Sequence, residues 1–347
     1  MRSFDPLKHR KQRSVRFRFA IPVLAAALLI LFLVSFHWGR YPVPLGQVPR
    51  ILLSRLLPLR QTWTDEMETV VWNIRLPRIA MACLVGACLA AAGAAYQGVF
   101  HNPLASPDIL GASNGAAFGA ALAILLGGSA QTVTLAAFAA GLITVGGVFL
   151  VAKYAPGGRV INLILAGIMV SSLFGAATSY IKLVADPTNQ LPAITYWLMG
   201  SLSGVRTADF ATALPPMILG CAALFCVRWK LNLLSLGEEE AHSLGVNTNA
   251  LRLVIILAST LVTAAAISVS GVIGWVGLVI PHLTRKLTGN NYKRLLPASL
   301  LAGALFLLAV DNLSRNLTAT EIPLGILTAF VGAPFFLYLI LKRDKSF

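Results

Sequence analysis

LNLLSLGEEEAHSLGV, residues Leu231–Val246, lies between two strongly apolar segments. It holds three consecutive acids, Glu238, Glu239 and Glu240, out of 13 in the whole chain. Leucines at 231, 233, 234, 236 and 244 surround those acids, so the stretch reads as short amphipathic helices broken at Gly237 and Gly245. A loop of this kind lies on the membrane surface or against a partner protein, or it is a solvated connector. The flanking chain has to decide.

The flanks are apolar. Of 347 residues, 57% are hydrophobic and 12% charged, with a mean hydropathy of +0.76, against about 25% charged residues in an ordinary soluble domain. Too little polar surface remains to cover a globule, so lipid must solvate much of the chain. The net charge of +15 does not mark a nucleic-acid binder, because the cations sit between apolar spans and not on one domain. Cys83, Cys88, Cys221 and Cys226 fall inside apolar runs without metal-ligand spacing and read as small buried hydrophobes. No small-residue cleavage site ends the first apolar span, so a cleavable signal is not expected there.

Spans are expected at about 19–36, 78–100, 108–128, 132–152, 161–184, 211–229, 251–270, 272–288, 296–314 and 322–341. The pattern predicts an all-α polytopic membrane protein of about ten transmembrane helices with both termini on one side. A basic tail at 1–18 precedes a single membrane domain at 19–341, and a short tail follows at 342–347. An outer loop at 37–76 contains a surface helix at Leu45–Leu57. With this topology, nineteen of the 28 Lys and Arg residues fall on the side of the termini. The positive-inside bias makes that side cytoplasmic and places Leu231–Val246 in the cytoplasm. Six of the remaining cations, Arg40, Arg50, Arg55, Arg60, Arg75 and Arg78, crowd the outer loop. They suit an acidic partner or lipid headgroups.

Within the spans, Gly111, Gly115 and Gly119 recur every four residues, and Gly271, Gly274 and Gly277 every three. Small residues at such spacing let helix backbones approach closely in lipid, which predicts a tight bundle with broken helices. Asp311 is the clearest intramembrane acid and a functional suspect. Arg315, one turn later, makes a helix-internal ion pair the plainer reading. The chain has no GxxxxGK[ST], HExxH, GxSxG or CxxC, and its five histidines are scattered, so neither a phosphate loop nor a metal centre is expected. An ion-coupled carrier, the rival reading from another class, would need more buried acids. A pump built on this chain takes its energy from another subunit.

Five stretches carry a resemblance to a known family: RLPR at Arg75–Arg78, QGVFHNPLASPDILGASNGAAFG at Gln97–Gly119, Leu231–Val246, GVIGWVGLVIPHLTR at Gly271–Arg285, and DNLSRNLTATEIPLGILTAFVGAPFF at Asp311–Phe336. In this order and spacing they resemble the FecCD family, the membrane permease of type II ABC importers for iron–siderophores, haem and cobalamin. The resemblance runs from about Tyr41 to Lys342. It implies the type II ABC importer permease fold, a homodimer, two ATP-binding cassette subunits on the cytoplasmic side, and a substrate-binding protein outside, periplasmic or lipid-anchored. The implied location is the cytoplasmic (inner) membrane of a prokaryote. The chain would be a transport subunit and not an enzyme, with no cofactor of its own; the partner ATPase would bind ATP and Mg. The implied cargo is an iron complex, siderophore or haem, with cobalamin or molybdate/tungstate as the alternatives.

The resemblance also implies residue roles. Arg75, Arg78 and Arg315 would make salt bridges to glutamates of the binding protein, which turns Arg315 outward with Asp311 orienting it. Leu234, Leu236, Gly237, Glu238, Glu239, Glu240, Ala241, Leu244 and Gly245 would seat in a cleft of the ATPase. Gly158, Arg159, Val160, Ile161 and Asn162 would form the cytoplasmic gate, and the fifth and tenth helices would line the pathway. Two departures stand out. Val272 and Trp275 replace the usual Pro and Phe, and Gly157, Gly158 and Arg159 replace a pair of small hydroxyl residues at the gate.

Overall fold

The computed structural model describes the backbone of residues 6–44, 46–235 and 237–341, with side chains throughout those ranges except at 6–18, 159, 238, 239, 339 and 340. In chain order the helices are α1 (Pro6–Ser35), α2 (Gln47–Leu53), α3 (Asp65–Thr69), α4 (Leu76–Val99), α5 (Ala112–Leu125), α6 (Ala130–Tyr154), α7 (Arg159–Val184) and α8 (Gln190–Leu198). They continue with α9 (Asp209–Val227), α10 (Lys230–Leu234), α11 (Glu238–Ser243), α12 (Thr248–Ser270), α13 (Val276–Thr288), α14 (Tyr292–Asn316) and α15 (Leu324–Leu341).

Every expected span is met by a helix among the described residues. Six helical stretches are long and apolar enough to cross a membrane unaided, and Phe19–Ser35, Ala112–Leu125 and Leu324–Tyr338 are shorter apolar helices. Boundaries differ from expectation where local chemistry intervenes. The first span belongs to a helix that already begins at Pro6. The surface helix of the outer loop is shorter than expected, Gln47–Leu53. The second span begins early, at Asp65, because the Thr64 hydroxyl caps Met67 N–H and Asp65, Glu66 and Glu68 occupy the first turn. From there the helix passes through a π turn, Val70–Arg75, into α4. Pro77 has no N–H to give Asn73, so the ladder slips a register and Leu76 N–H bonds Val71 O instead.

α4 is the centre of the bundle. About 78% of its apolar window is buried, against 17% for α7. The sequence reason is its run of Ala and Gly. A methyl added at Gly86 would strike the Gly303 carbonyl of α14, and one at Gly93 the Gly277 carbonyl of α13. Backbones in such contact gain dispersion and exclude lipid without needing a hydrophobic drive. The glycines of the third span divide their duties. Gly115 and Gly119 seat α5 against Thr144, Ala140 and Ala136 of α6. Gly111 instead forms the left-handed turn, at φ +79°, that joins a 3-10 turn at Pro107–Leu110 to α5.

The expected helix break in the eighth span is a non-helical run, Gly271–Trp275, between α12 and α13. Non-helical backbone among membrane helices needs hydrogen-bond partners from the protein. Here Ser201 N donates to Ser270 O (2.7 Å), while Leu324 N and Gly325 N donate to Gly200 O (2.8 Å) and Met199 O (3.1 Å). The loop after the unanticipated α8 supplies this seam, which joins the end of α12, just before the break, to the start of α15.

Candidate functional site

α4 and α14 run antiparallel and define the two ends of the molecule. α4 alone, with 24 residues, measures roughly 36 Å at ~1.5 Å per residue. Arg78 meets Asp311 at one end, and Gly98 meets Tyr292 at the other.

The first end holds a cluster of three arginines and two acids. Asp311 is fully buried. Arg78 Nε donates to its Oδ1 at 2.9 Å, and Arg315 Nε lies 3.1 Å from Oδ2 as an ion pair without hydrogen-bond alignment. Arg78 also reaches Glu321, donating from Nη1 to Oε1 at 2.9 Å. Arg315 donates to Trp38 O (3.1 Å) and to Asn312 Oδ1, and Asn312 Nδ2 donates to Ser35 Oγ at 2.7 Å. Arg75 donates to the carbonyls of Phe36 and Tyr41, which folds the outer loop over its guanidinium.

The structure therefore brings Arg75, Arg78 and Arg315 together, but it corrects their expected orientation. All three are less than 8% exposed. Arg315 faces inward, and its pair with Asp311 is the helix-internal one, widened into a network by Arg78. Burial of a charge is tolerable only when it is paired; here Arg78 and Arg315 are paired with carboxylates of their own chain, and Arg75 donates to two of its carbonyls. Glu321 is the residue that sequence reasoning missed. Its signal was available, since it is the single acid between Asp311 and Leu341. Its side chain, at 26%, is the most exposed in the ion-pair network.

The other end holds Leu231–Val246. The expected short helices are α10 and α11, separated at Gly237, whose φ is +132°, and closed at Gly245, whose φ is +79°. Leu236 and the side chains of Glu238 and Glu239 lie outside the described residues. The element is tied firmly to the bundle. His101 Nε2 contacts Leu234 O at 2.5 Å, Leu231 packs under Gly98, and Asn232 Oδ1 accepts Tyr292 N–H at 2.8 Å, capping α14. Leu231, Leu234 and Ala241 are buried inside this chain, so Leu234 and Ala241 support the element and do not present it. Leu244 (60% exposed), Gly245 and Glu240 remain on the surface.

The expected gate residues form one turn. Asn162 Nδ2 donates to the carbonyls of Ala155 (3.0 Å) and Pro156 (3.3 Å), drawing the loop back onto the first turn of α7. Gly158 caps that helix, Val160 is half-buried and Ile161 is exposed; the Arg159 side chain lies outside the described residues.

The pattern that defines the FecCD transport family matches residues 27–342. The chain is 40% identical over 323 residues to the molybdate import system permease protein MolB of Haemophilus influenzae, covering 93% of this chain and 95% of that one. It is 41% identical over 328 residues to the cobalamin import system permease protein BtuC of Halobacterium salinarum, covering 94% and 86%. A solved structure of an ABC transporter assigned to the metal-chelate type, in an inward-facing conformation, superposes with a TM-score of 0.83. Its identity is 39%, covering 93% of this chain and 98% of that one.

Proposed function

Because the chain belongs to the FecCD transport family and is a multi-pass ABC importer permease subunit, we propose that it works as a homodimer in a prokaryotic inner membrane, importing a metal-bearing cargo. A binding protein delivers that cargo from outside, and separate ATPase subunits bind ATP and Mg at the cytoplasmic end. The observation that carries the reading is the polarity of the bundle. An arginine cluster beside the outer loop lies at one end of α4, and an anchored element with an exposed Leu244 lies at the other. The exposed faces of α7 and α15, with Leu173 and Phe330 outward, support a second copy along these helices.

The binding protein docks at the arginine corner by exchange. Its acids replace Glu321, the partly exposed of the two carboxylates on Arg78, while Asp311 stays in place to hold the guanidinium. ATP binding moves the coupling element, and the two copies rock between outward and inward access. For the ion-coupled rival, the clearest intramembrane acid, Asp311, is already engaged as the shared partner of Arg78 and Arg315. An iron complex is the first cargo to test, with cobalamin and molybdate beside it in binding measurements on the binding protein.

The test is ATP hydrolysis by the purified permease–ATPase complex, titrated with loaded binding protein. Hydrolysis should rise with binding protein. In Glu321→Gln the midpoint should fall by up to about tenfold, the equivalent of ~1.4 kcal/mol released from internal competition. A flat titration overturns docking as such; an unshifted midpoint overturns exchange at Glu321.

A further inference from the structure

We propose that the junction of α9, α10 and α14 is a binding site for an anionic phospholipid. A cavity of about 440 Å³, lined by Cys226, Arg228, Trp229 and Lys293, opens there, within the ~300–1,000 Å³ of small-ligand sites. Asn232 fixes its two walls relative to each other through Tyr292 N–H and Asn291 Oδ1 (3.3 Å).

Both charged residues of the lining, Arg228 and Lys293, are cations. Arg228, Lys230, Lys293 and Arg294 come from two short stretches, and no acid occurs between residues 210 and 237 or between 276 and 310. Arg228 is held for use. Its guanidinium lies 3.5 Å from the Phe225 ring centroid, Nη1 donates to Phe225 O at 2.5 Å, and Nε is buried without a hydrogen-bond partner. Lys293 stands exposed in the first turn of α14, where the helix dipole adds positive potential. A phosphodiester between these two cations would meet charge-assisted donors from both sides.

The apolar half of the ligand has a track as well. Ile218, Ala222, Phe225 and Trp229 recur at helical spacing and are all exposed, forming one stripe that ends at the cavity mouth. An acyl chain along this stripe with its headgroup at Arg228 and Lys293 satisfies both halves of the site. A soluble anion would leave the stripe unused, and an acidic protein segment would not need it. Basic pockets between helices on the cytoplasmic side take anionic headgroups by this chemistry.

Cys226 is exposed and lines the cavity, so it reports occupancy. The full-length chain in detergent is labelled with a maleimide, and the Cys226 peptide is followed by mass spectrometry in phosphatidylglycerol or phosphatidylcholine micelles. Phosphatidylglycerol at ten times its dissociation constant should slow labelling about tenfold, with no comparable effect of phosphatidylcholine. Arg228→Gln should abolish the protection. Lys293→Glu, at an exposed position, should do the same without touching the packed core. One labelling rate in both lipids, or protection that survives in a folded Lys293→Glu protein, overturns the site. Protection by the ATPase subunit alone, in lipid-free detergent, assigns the cavity to a protein partner and also overturns it.

Discussion

Asp311→Ala is expected to destabilise the folded chain by about 3–5 kcal/mol, the cost of leaving buried charges without their partner. Asp311 has no exposed surface, and it faces Arg78 at 2.9 Å and Arg315 at 3.1 Å. Removing it strands two guanidiniums among apolar helices, with Glu321 left to neutralise one. Asp311→Asn should fall between parent and alanine variant, because an amide oxygen still accepts from Arg78 Nε but carries no charge. Glu321→Gln, with a partly exposed side chain, should change stability by about 1 kcal/mol or less. Thermal unfolding in detergent and the folded fraction after extraction check the series. An Asp311→Ala protein as stable as the parent would contradict the network.

Leu244→Glu is expected to uncouple the transporter without unfolding it. Leu244 is largely exposed and has α11 behind it. Burying a leucine side chain in a partner cleft is worth roughly 1.5–3 kcal/mol, which corresponds to about 10–100-fold in affinity. A glutamate in that cleft adds an unpaired charge to the loss. ATPase co-purification and ATP-driven uptake should therefore fall together while the melting temperature holds. Leu234→Ala should behave in the opposite way. Its side chain is buried under the element, so truncation should cost about 2–5 kcal/mol of stability. A Leu244→Glu chain that retains its ATPase would show that the contact lies elsewhere on the element.

The contrast between Leu244 and Leu234 shows where sequence reading stops. Apolar runs of membrane length are long-range, redundant signals, so α4, α6, α7, α9, α12 and α14 were legible almost to their ends. Breaks depend on single residues. Gly271–Trp275 was foreseeable from its glycines, whereas the positive φ at Trp275 (+70°) was not. Nor was α8, a nine-residue helix that leads into Met199–Ser201, the loop hydrogen-bonded to the end of α12 and the start of α15. The arginine cluster was legible as a set of residues but not as a geometry. A list of cations on the outer side does not reveal that Phe36, Trp38 and Tyr41 turn their carbonyls onto Arg75 and Arg315. The leucines of Leu231–Val246 were equally ambiguous, because a buried and a presented leucine look alike until the packing partners are known.

The most direct measurement of the central claim is uptake into proteoliposomes holding the permease and its ATPase, with loaded binding protein outside and ATP inside. Accumulation should require internal ATP and the binding protein, and should persist when an ionophore collapses the proton and sodium gradients. Accumulation by the permease alone, driven by a gradient and lost with the ionophore, would contradict it.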